Sequence, residues 1–145
     1  MIGLGTMGRN FLLNLAEQGI AGVGYDLDAG KRDLLMKEGE SLPLQVGDDM
    51  ADFVSRLASP RNIMLLVPAG PIVDSVINDL LPLIDESDLI IDGGNSHFTD
   101  TEIREKRLAE KGFGFMGIGI SGGEEGARHG ASIMPGGPRE FYDRI

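Results

Sequence analysis

The sequence predicts an α/β protein: a doubly wound, mainly parallel sheet with helices on both faces. Three observations carry that prediction. Strand-like and helix-like segments alternate along the chain. Two of the strand-like runs, Asn62-Ile63-Met64-Leu65-Leu66-Val67 and Leu89-Ile90-Ile91, are apolar along their length, as strands covered on both faces must be. Glycine accounts for 22 of 145 residues, and many glycines gather at 3–8, 93–94 and 117–123, each group following a strand-like run. Alternation of this kind gives a parallel sheet wrapped by helices, and right-handed crossovers make it doubly wound. Ligands of such sheets sit beyond the carboxyl ends of the strands, so the glycine groups are expected to line that edge.

Element by element, Ile2 leads into Gly3-Leu4-Gly5-Thr6-Met7-Gly8, after which Phe11, Leu12, Leu15 and Ala16 share one helical stripe ending near Gly19. Gly22-Val23-Gly24-Tyr25 reads as a short strand stopping at Asp26, and a helix follows over 29–38, closed by Gly39. After a loop, Asp49 caps a helix reaching about Ala58, where Ser59-Pro60 breaks it. The strand over 62–67 is followed by Pro71, suited to the first turn of a helix over 72–81. The strand over 89–91 ends in Asp92-Gly93-Gly94-Asn95-Ser96; Thr99 or Asp100 opens a charged helix to Lys111, and 113–120 reads as strand. Along that helix Glu102, Arg104, Glu105, Lys106 and Arg107 read as a solvated face. No internal repeat, linker or domain boundary is visible, and residues 1–145 read as one domain.

Composition narrows the function. Thirteen basic against 23 acidic residues leave a net charge of −10, the wrong sign for a nucleic-acid binder or a polybasic membrane-surface protein. The absence of cysteine removes disulfides, thiolate nucleophiles and Cys-type zinc sites. No apolar run approaches the roughly 20 residues that span a bilayer. The start carries neither a basic segment nor an apolar export core, so a cytoplasmic protein without a membrane partner is expected. The scattered carboxylates lack metal-loop spacing, and no metal is expected.

The hexad Gly3-x-Gly5-x-x-Gly8 is weak alone, but here it follows a strand, opens an amphipathic helix and precedes a second strand ending in Asp26, 18 residues after Gly8. Gly3 permits the tight turn, Gly5 lets backbone approach a pyrophosphate, and Gly8 lets helix and strand pack closely. The helix N-terminus offers free N–H groups to the phosphates, which matters in a chain whose net charge repels anions. This is the pattern of a Rossmann-type dinucleotide site, though a tight turn without ligand would use the same residues. A carboxylate at Asp26 suits the ribose hydroxyls of NAD and repels a 2′-phosphate. It also suits a helix cap, and Lys31 and Arg32 stand on the next helix, where their reach back to this point is open.

Asn95 offers a donor and an acceptor beside Gly93 and Gly94, for a ligand or for its own backbone. Ser121-Gly122-Gly123-Glu124-Glu125-Gly126 supplies a hydroxyl and bare amides for an oxyanion. The only histidines, His97 and His129, show no triad pattern with Ser121, so a binding role is expected for the serine and an exposed loop position for His129.

Gly3-Leu4-Gly5-Thr6-Met7-Gly8, Ile90-Ile91-Asp92-Gly93-Gly94-Asn95-Ser96, Ser121-Gly122-Gly123-Glu124-Glu125-Gly126-Ala127-Arg128 and Met134-Pro135-Gly136-Gly137 together resemble the decarboxylating 6-phosphogluconate dehydrogenases. The wider 3-hydroxyacid dehydrogenases share the first motif and a Ser-Gly-Gly, and a member of that group, or a dinucleotide-binding module without chemistry, is the alternative. The resemblance implies oxidation of 6-phosphogluconate with reduction of NADP or NAD, then loss of CO₂ to give ribulose 5-phosphate in the pentose phosphate pathway. It implies that Gly3, Leu4, Gly5, Thr6, Met7, Gly8, Asp26, Val67, Pro68, Ala69, Asn95 and Glu124 hold the cofactor. It places Asn95, Ser121, Gly122 and Gly123 on the substrate, and Met7 and Glu124 near the nicotinamide.

Three departures matter. NADP-type members carry Asn-Arg-Thr where this chain has Asp26-Leu27-Asp28, and often Lys where Pro68 stands; both changes remove positive charge, so NAD is favoured over the family's usual NADP. The family's catalytic lysine and glutamate match no position here and are expected beyond Ile145, with a helical domain that completes the pocket and a homodimer. Residues 1–145 are therefore expected to bind cofactor without turning over substrate, and the chain reads as trimmed at both ends.

Overall fold

Met1, Ile2 and Gly3 run parallel to residues 23–25. The Met1 nitrogen donates to the Val23 carbonyl at 2.8 Å, and the Tyr25 and Gly3 amides donate to the Met1 and Tyr25 carbonyls, each at 2.9 Å. Three residues thus do the work of a strand and deliver the chain into the glycine turn. The computed structural model describes all residues 1–145. It divides into two compact units, Met1–Leu57 with Ser121–Ser132, and Ala58–Ile120 with Ile133–Ile145, a division no linker announces.

In the first unit, α1 (Thr6–Glu17) follows the turn and buries Phe11, Leu12, Leu13 and Ala16. Strand β1 (Gly22–Gly24) pairs in parallel with β2 (Leu44–Val46), Gly22 opposite Leu44 and Gly24 opposite Val46. The glycines of β1 are there for packing. A Cβ on Gly22 would lie 2.7 Å from Leu12 Cδ1, and one on Gly24 would lie 2.5 Å from Leu35 Cδ2. Part of the glycine excess therefore lets leucines press against the strand rather than a ligand. Helix α2 (Ala29–Glu38) is capped by Asp28, whose carboxylate accepts from the Gly30 amide. Helix α3 (Met50–Ser55) is capped by Asp49 as its sequence predicts, but ends three residues before Ala58.

In the second unit, β3 (Asn62–Leu65), β4 (Leu89–Asp92), β5 (Gly114–Ser121) and β6 (Ser132–Gly136) form a sheet in that order. β3 and β4 are parallel with Ile63 opposite Ile90, and β4 and β5 with Ile90 opposite Phe115. Helix α4 (Pro71–Leu80) carries its proline in the first turn, and α5 (Phe98–Ala109) precedes β5. Its core is Ile63, Leu65, Ile77, Leu80, Leu89, Ile90, Leu108, Phe115 and Met116, all fully buried. The α/β class and parallel pairing are those the alternation predicts.

Four elements lie where no element was expected: β2, β6, α6 (Gly123–His129) and α7 (Arg139–Arg144). The charged face of α5 needs a correction as well. Arg104 is only 3% exposed, packed inside the second unit instead of facing water.

Candidate functional site: a dinucleotide turn and a glycine-rich anion turn

The turn before α1 has the features a phosphate requires. Gly3 has φ 92°, a conformation that an L side chain strains to adopt. A Cβ at Gly5 would meet nothing within 4 Å, so the space beside this backbone is open to a ligand. Helix α1 has neither a side-chain cap nor an acid in its first turn, whereas each other helix has one or the other. Its first amides are left to an anion.

Asp26 stands beside this turn. Its Oδ2 accepts from the Leu4 amide at 2.8 Å and its Oδ1 from the Asp28 amide at 3.0 Å. Lys31 Nζ lies 3.3 Å from Oδ2. Burial alone pushes the carboxyl up, but the Asp28 and Leu4 amides and the Lys31 ammonium together hold it below the usual carboxylate range. It is thus a carboxylate at neutral pH, with lone pairs left for further donors. Asp26 does not cap α2, which is Asp28's role. Lys31 and Arg32 of α2 do both reach back: Arg32 Nη1 donates to the Asp26 carbonyl at 2.6 Å.

Glu124, in the first turn of α6, reaches the same turn through a residue the sequence did not single out. Asn10 Nδ2 donates to the Thr6 carbonyl at 3.0 Å and to Glu124 Oε1 at 3.3 Å. Ser121, Gly122 and Gly123 lead into α6 and are exposed. Gly122 has φ 122°, and a Cβ there would lie 2.9 Å from Gly126 Cα, so only glycine fits. His129 ends α6 rather than lying in a loop, and remains exposed, 3.7 Å from Glu125.

The remaining predicted residues belong to the second unit. Val67, Pro68 and Ala69 follow β3, with Pro68 and Ala69 exposed. A Cβ on Gly94 would lie 2.6 Å from the Val67 carbonyl oxygen, so Gly94 is what lets these two turns touch. Asn95 adopts φ 55°, the only non-glycine residue with positive φ. Its side chain behaves like a peptide group: Nδ2 donates to the Ile120 carbonyl at 3.1 Å, and Oδ1 accepts from the Ile120 amide at 2.9 Å. The amide is therefore paired with the backbone immediately before Ser121, not with its own turn, and keeps one N–H and one lone pair free.

Arg104 underpins both turns. Nη1 donates to Ser96 Oγ at 3.0 Å and Asp92 Oδ2 at 3.3 Å, while Nη2 donates to the Gly70 carbonyl at 2.9 Å. Nε and Nη2 hold Asp74 at 3.1 and 2.8 Å. In a string of alternating charges nothing marks it as buried. No group of three or more His, Asp or Glu side chains is placed to hold a metal ion. No helix is long and apolar enough to cross a membrane.

A family model described as the NAD binding domain of 6-phosphogluconate dehydrogenase matches residues 1–145. The chain belongs to that family. Among its relatives, the NAD(+)-dependent, decarboxylating 6-phosphogluconate dehydrogenase of Bacillus subtilis is 49% identical over 144 residues, covering 99% of this chain and 31% of the relative. The decarboxylating 6-phosphogluconate dehydrogenase 1 of Saccharomyces cerevisiae is 46% identical over 146 residues, covering 100% of this chain and 30% of the relative. The chain thus spans less than a third of the length of these relatives. The 6-phosphogluconate dehydrogenase of Plasmodium falciparum, solved in apo form, with its cofactor NADP+ and with its substrate 6-phosphogluconate, superposes with a TM-score of 0.93 at 37% identity, over 98% of this chain and 31% of that one. The 3-hydroxyisobutyrate dehydrogenase of Mycobacterium tuberculosis, at 24% identity and a TM-score of 0.86, shares the fold, with 99% of this chain and 47% of that one covered. Membership of the 6-phosphogluconate dehydrogenase NAD-binding family fits the open space at Gly5 and the uncapped start of α1, which are what a dinucleotide needs.

Proposed function

We propose that this chain is the cofactor domain of a decarboxylating 6-phosphogluconate dehydrogenase that prefers NAD. The observation that carries the reading is the turn from Gly3 to Gly8, open at Gly5 and tied by the Leu4 amide to the Asp26 carboxylate. A bound dinucleotide would supply the hydride acceptor for oxidation of the substrate's 3-hydroxyl, whose proton would pass to a base, and loss of CO₂ would follow. The first amides of α1 hold the pyrophosphate. Asp26 accepts from the adenosine ribose hydroxyls, and its charge disfavours a 2′-phosphate there. Met7 and Glu124 would hold the nicotinamide end, and the resemblance assigns Val67, Pro68 and Ala69 to the cofactor. The Ser121 hydroxyl and the Gly122 and Gly123 amides bind the substrate's carboxylate and hydroxyl end. Asn95 presents its free N–H and lone pair to the ligands. The lysine base and glutamate acid implied by the resemblance match no position in residues 1–145, so activity belongs to the full-length homodimer, in the cytoplasm.

The test is turnover by the full-length enzyme with 6-phosphogluconate and each dinucleotide, alongside calorimetry of NAD and NADP binding. Turnover with NAD preferred is the expected result, and Asp26→Arg should shift the affinity ratio toward NADP. Tighter wild-type binding of NADP overturns the preference. A second reading is oxidation of a small unphosphorylated 3-hydroxyacid, since the wider 3-hydroxyacid dehydrogenases share the resemblance at the first motif and the Ser-Gly-Gly. Turnover of such an acid and none of 6-phosphogluconate would establish it.

A further inference from the structure

Helix α1 carries, on the side toward α6, a row of polar groups that the dinucleotide turn does not require. Asn10, Asn14 and Glu17 recur at i, i+4 and i+7 and so share one face. Each meets α6. Asn10 Nδ2 bridges the Thr6 carbonyl and Glu124 Oε1. Asn14 Nδ2 donates to the Arg128 carbonyl at 2.9 Å. The Arg128 guanidinium forks onto both carboxylate oxygens of Glu17. The Arg128 partner holds the Glu17 carboxyl below the usual range, and Glu17 raises Arg128 in return, so this last rung is ionised on both sides.

A packing contact alone would be served by apolar residues. α1 already supplies Phe11, Leu12 and Leu13 for that purpose, while Asn10 is 7% exposed and polar. What the polar row adds is register. A buried amide nitrogen that donates both to its own helix and to the facing one permits one axial position of the partner helix, whereas a greasy contact tolerates sliding. The backbone between Ser121 and Gly123 is contiguous with α6, the Gly126 amide of that helix donating to the Gly122 carbonyl at 2.9 Å, so the turn moves with the start of α6. Its position is set on one side by the end of β5 and on the other by α6, and α6 is held in place by α1.

We propose that Asn10, Asn14 and the Glu17–Arg128 pair are positioning residues: they register the Ser121-Gly122-Gly123 turn and Glu124 against the dinucleotide turn, so that hydroxyacid and nicotinamide are presented to each other at a fixed distance. This rests on the assignment of those two turns to substrate and cofactor. The perturbations follow directly. Asn10→Ala removes the bridge, Asn14→Asp places a carboxylate against the Arg128 carbonyl at unchanged shape, and Glu17→Gln loses the ion pair at a more exposed rung.

In the full-length enzyme, each variant is assayed for dinucleotide affinity by calorimetry, for KM and kcat with 6-phosphogluconate, and for Tm. Misplacement of a reacting group by a fraction of an ångström costs rate steeply, so kcat/KM for 6-phosphogluconate should fall roughly tenfold or more in Asn10→Ala and Asn14→Asp. Dinucleotide affinity should stay within about twofold in Asn14→Asp and Glu17→Gln, which touch neither the dinucleotide turn nor Glu124. Glu17→Gln should move in the same direction by a smaller factor, and it decides the matter should the other two fail to fold. A fall in Tm with kcat/KM unchanged overturns the proposal and leaves the row as packing alone. Equal losses in dinucleotide affinity and in kcat/KM overturn it too, since the residues would then support the cofactor turn only. Failure of the wild-type enzyme to oxidise 6-phosphogluconate would refute the functional assignment instead, and is read in the same assay before any variant is made.

Discussion

Replacing Arg104 by methionine keeps most of the side-chain length and removes every hydrogen-bond donor. All five guanidinium N–H groups are used: two on Asp74, one on Asp92, one on Ser96 and one on the Gly70 carbonyl. The cost depends on which partners are stranded. Asp74 is 39% exposed and rehydrates, and Arg107 remains 3.6 Å away. Asp92 is 1% exposed and cannot, although Ser96 Oγ at 2.6 Å and the Gly94 amide at 3.0 Å still reach it. One buried carboxylate loses its cation, which places the loss at the low end for a broken buried pair, about 3 kcal/mol. Urea unfolding followed by circular dichroism would read this as a midpoint lowered by about 1–3 M at an ordinary slope. Adding Asp92→Asn removes the stranded charge and should return about 1 kcal/mol or more. A single variant within about 1 kcal/mol of wild type would refute the reasoning, as would a double variant less stable than the single.

Three further outcomes follow from the same geometry. Gly5→Ala should leave Tm unchanged, because its Cβ meets nothing within 4 Å, while weakening dinucleotide binding about tenfold or more through steric intrusion; calorimetry and thermal melts separate the two. Asn95→Asp keeps the shape but sets an acceptor against the Ile120 carbonyl, and should cost about 1–3 kcal/mol in urea unfolding. For pH, burial pushes the Asp88 carboxyl up, but the Asp85 and Arg61 amides and the Arg61 guanidinium outweigh it and hold it below its ordinary value. Its contribution is complete above the unfolded pKa near about 4 and is lost as pH falls through the lower folded value. Unfolding free energy measured from pH 7 downward should therefore stay level to about pH 5 and then drop, and Asp88→Asn should flatten that acid limb; an unchanged limb would place the titration elsewhere.

The sequence displays those parts of the fold whose signal is local. Asp49 precedes its helix with the expected capping bond, Pro71 opens α4, and β4 announces itself by an apolar run that is buried throughout, whereas β3 stops at Leu65, short of the expected Val67, and buries only Ile63 and Leu65. Strand β2 has three residues of which only Leu44 is buried, too short for a period to show. Helix α6 begins in two glycines of positive φ, which propensity reads as loop; its stability comes from α1 and is therefore invisible in its own residues. The glycine turn and Asp26 were legible because backbone approach and a strand-end acid each demand a particular residue type at a particular spacing. Asn10, Asn14 and Arg104 were not, since a buried Asn or Arg looks like a surface one until its partners, distant in sequence, are placed around it.

The bond from the Leu4 amide to Asp26 makes one side chain answerable to two evolutionary pressures. The carboxylate that would tell NAD from NADP also fastens the backbone that would carry the pyrophosphate. A substitution that inverts cofactor choice at this position would therefore loosen the turn at the same stroke, and Lys31 would lose the carboxylate that now holds it, while Arg32 keeps its bond to the Asp26 main-chain carbonyl. A lineage changing its dinucleotide would have to replace that tether from elsewhere in the turn. Lineages that switched should accordingly differ from this one at several positions of that turn together.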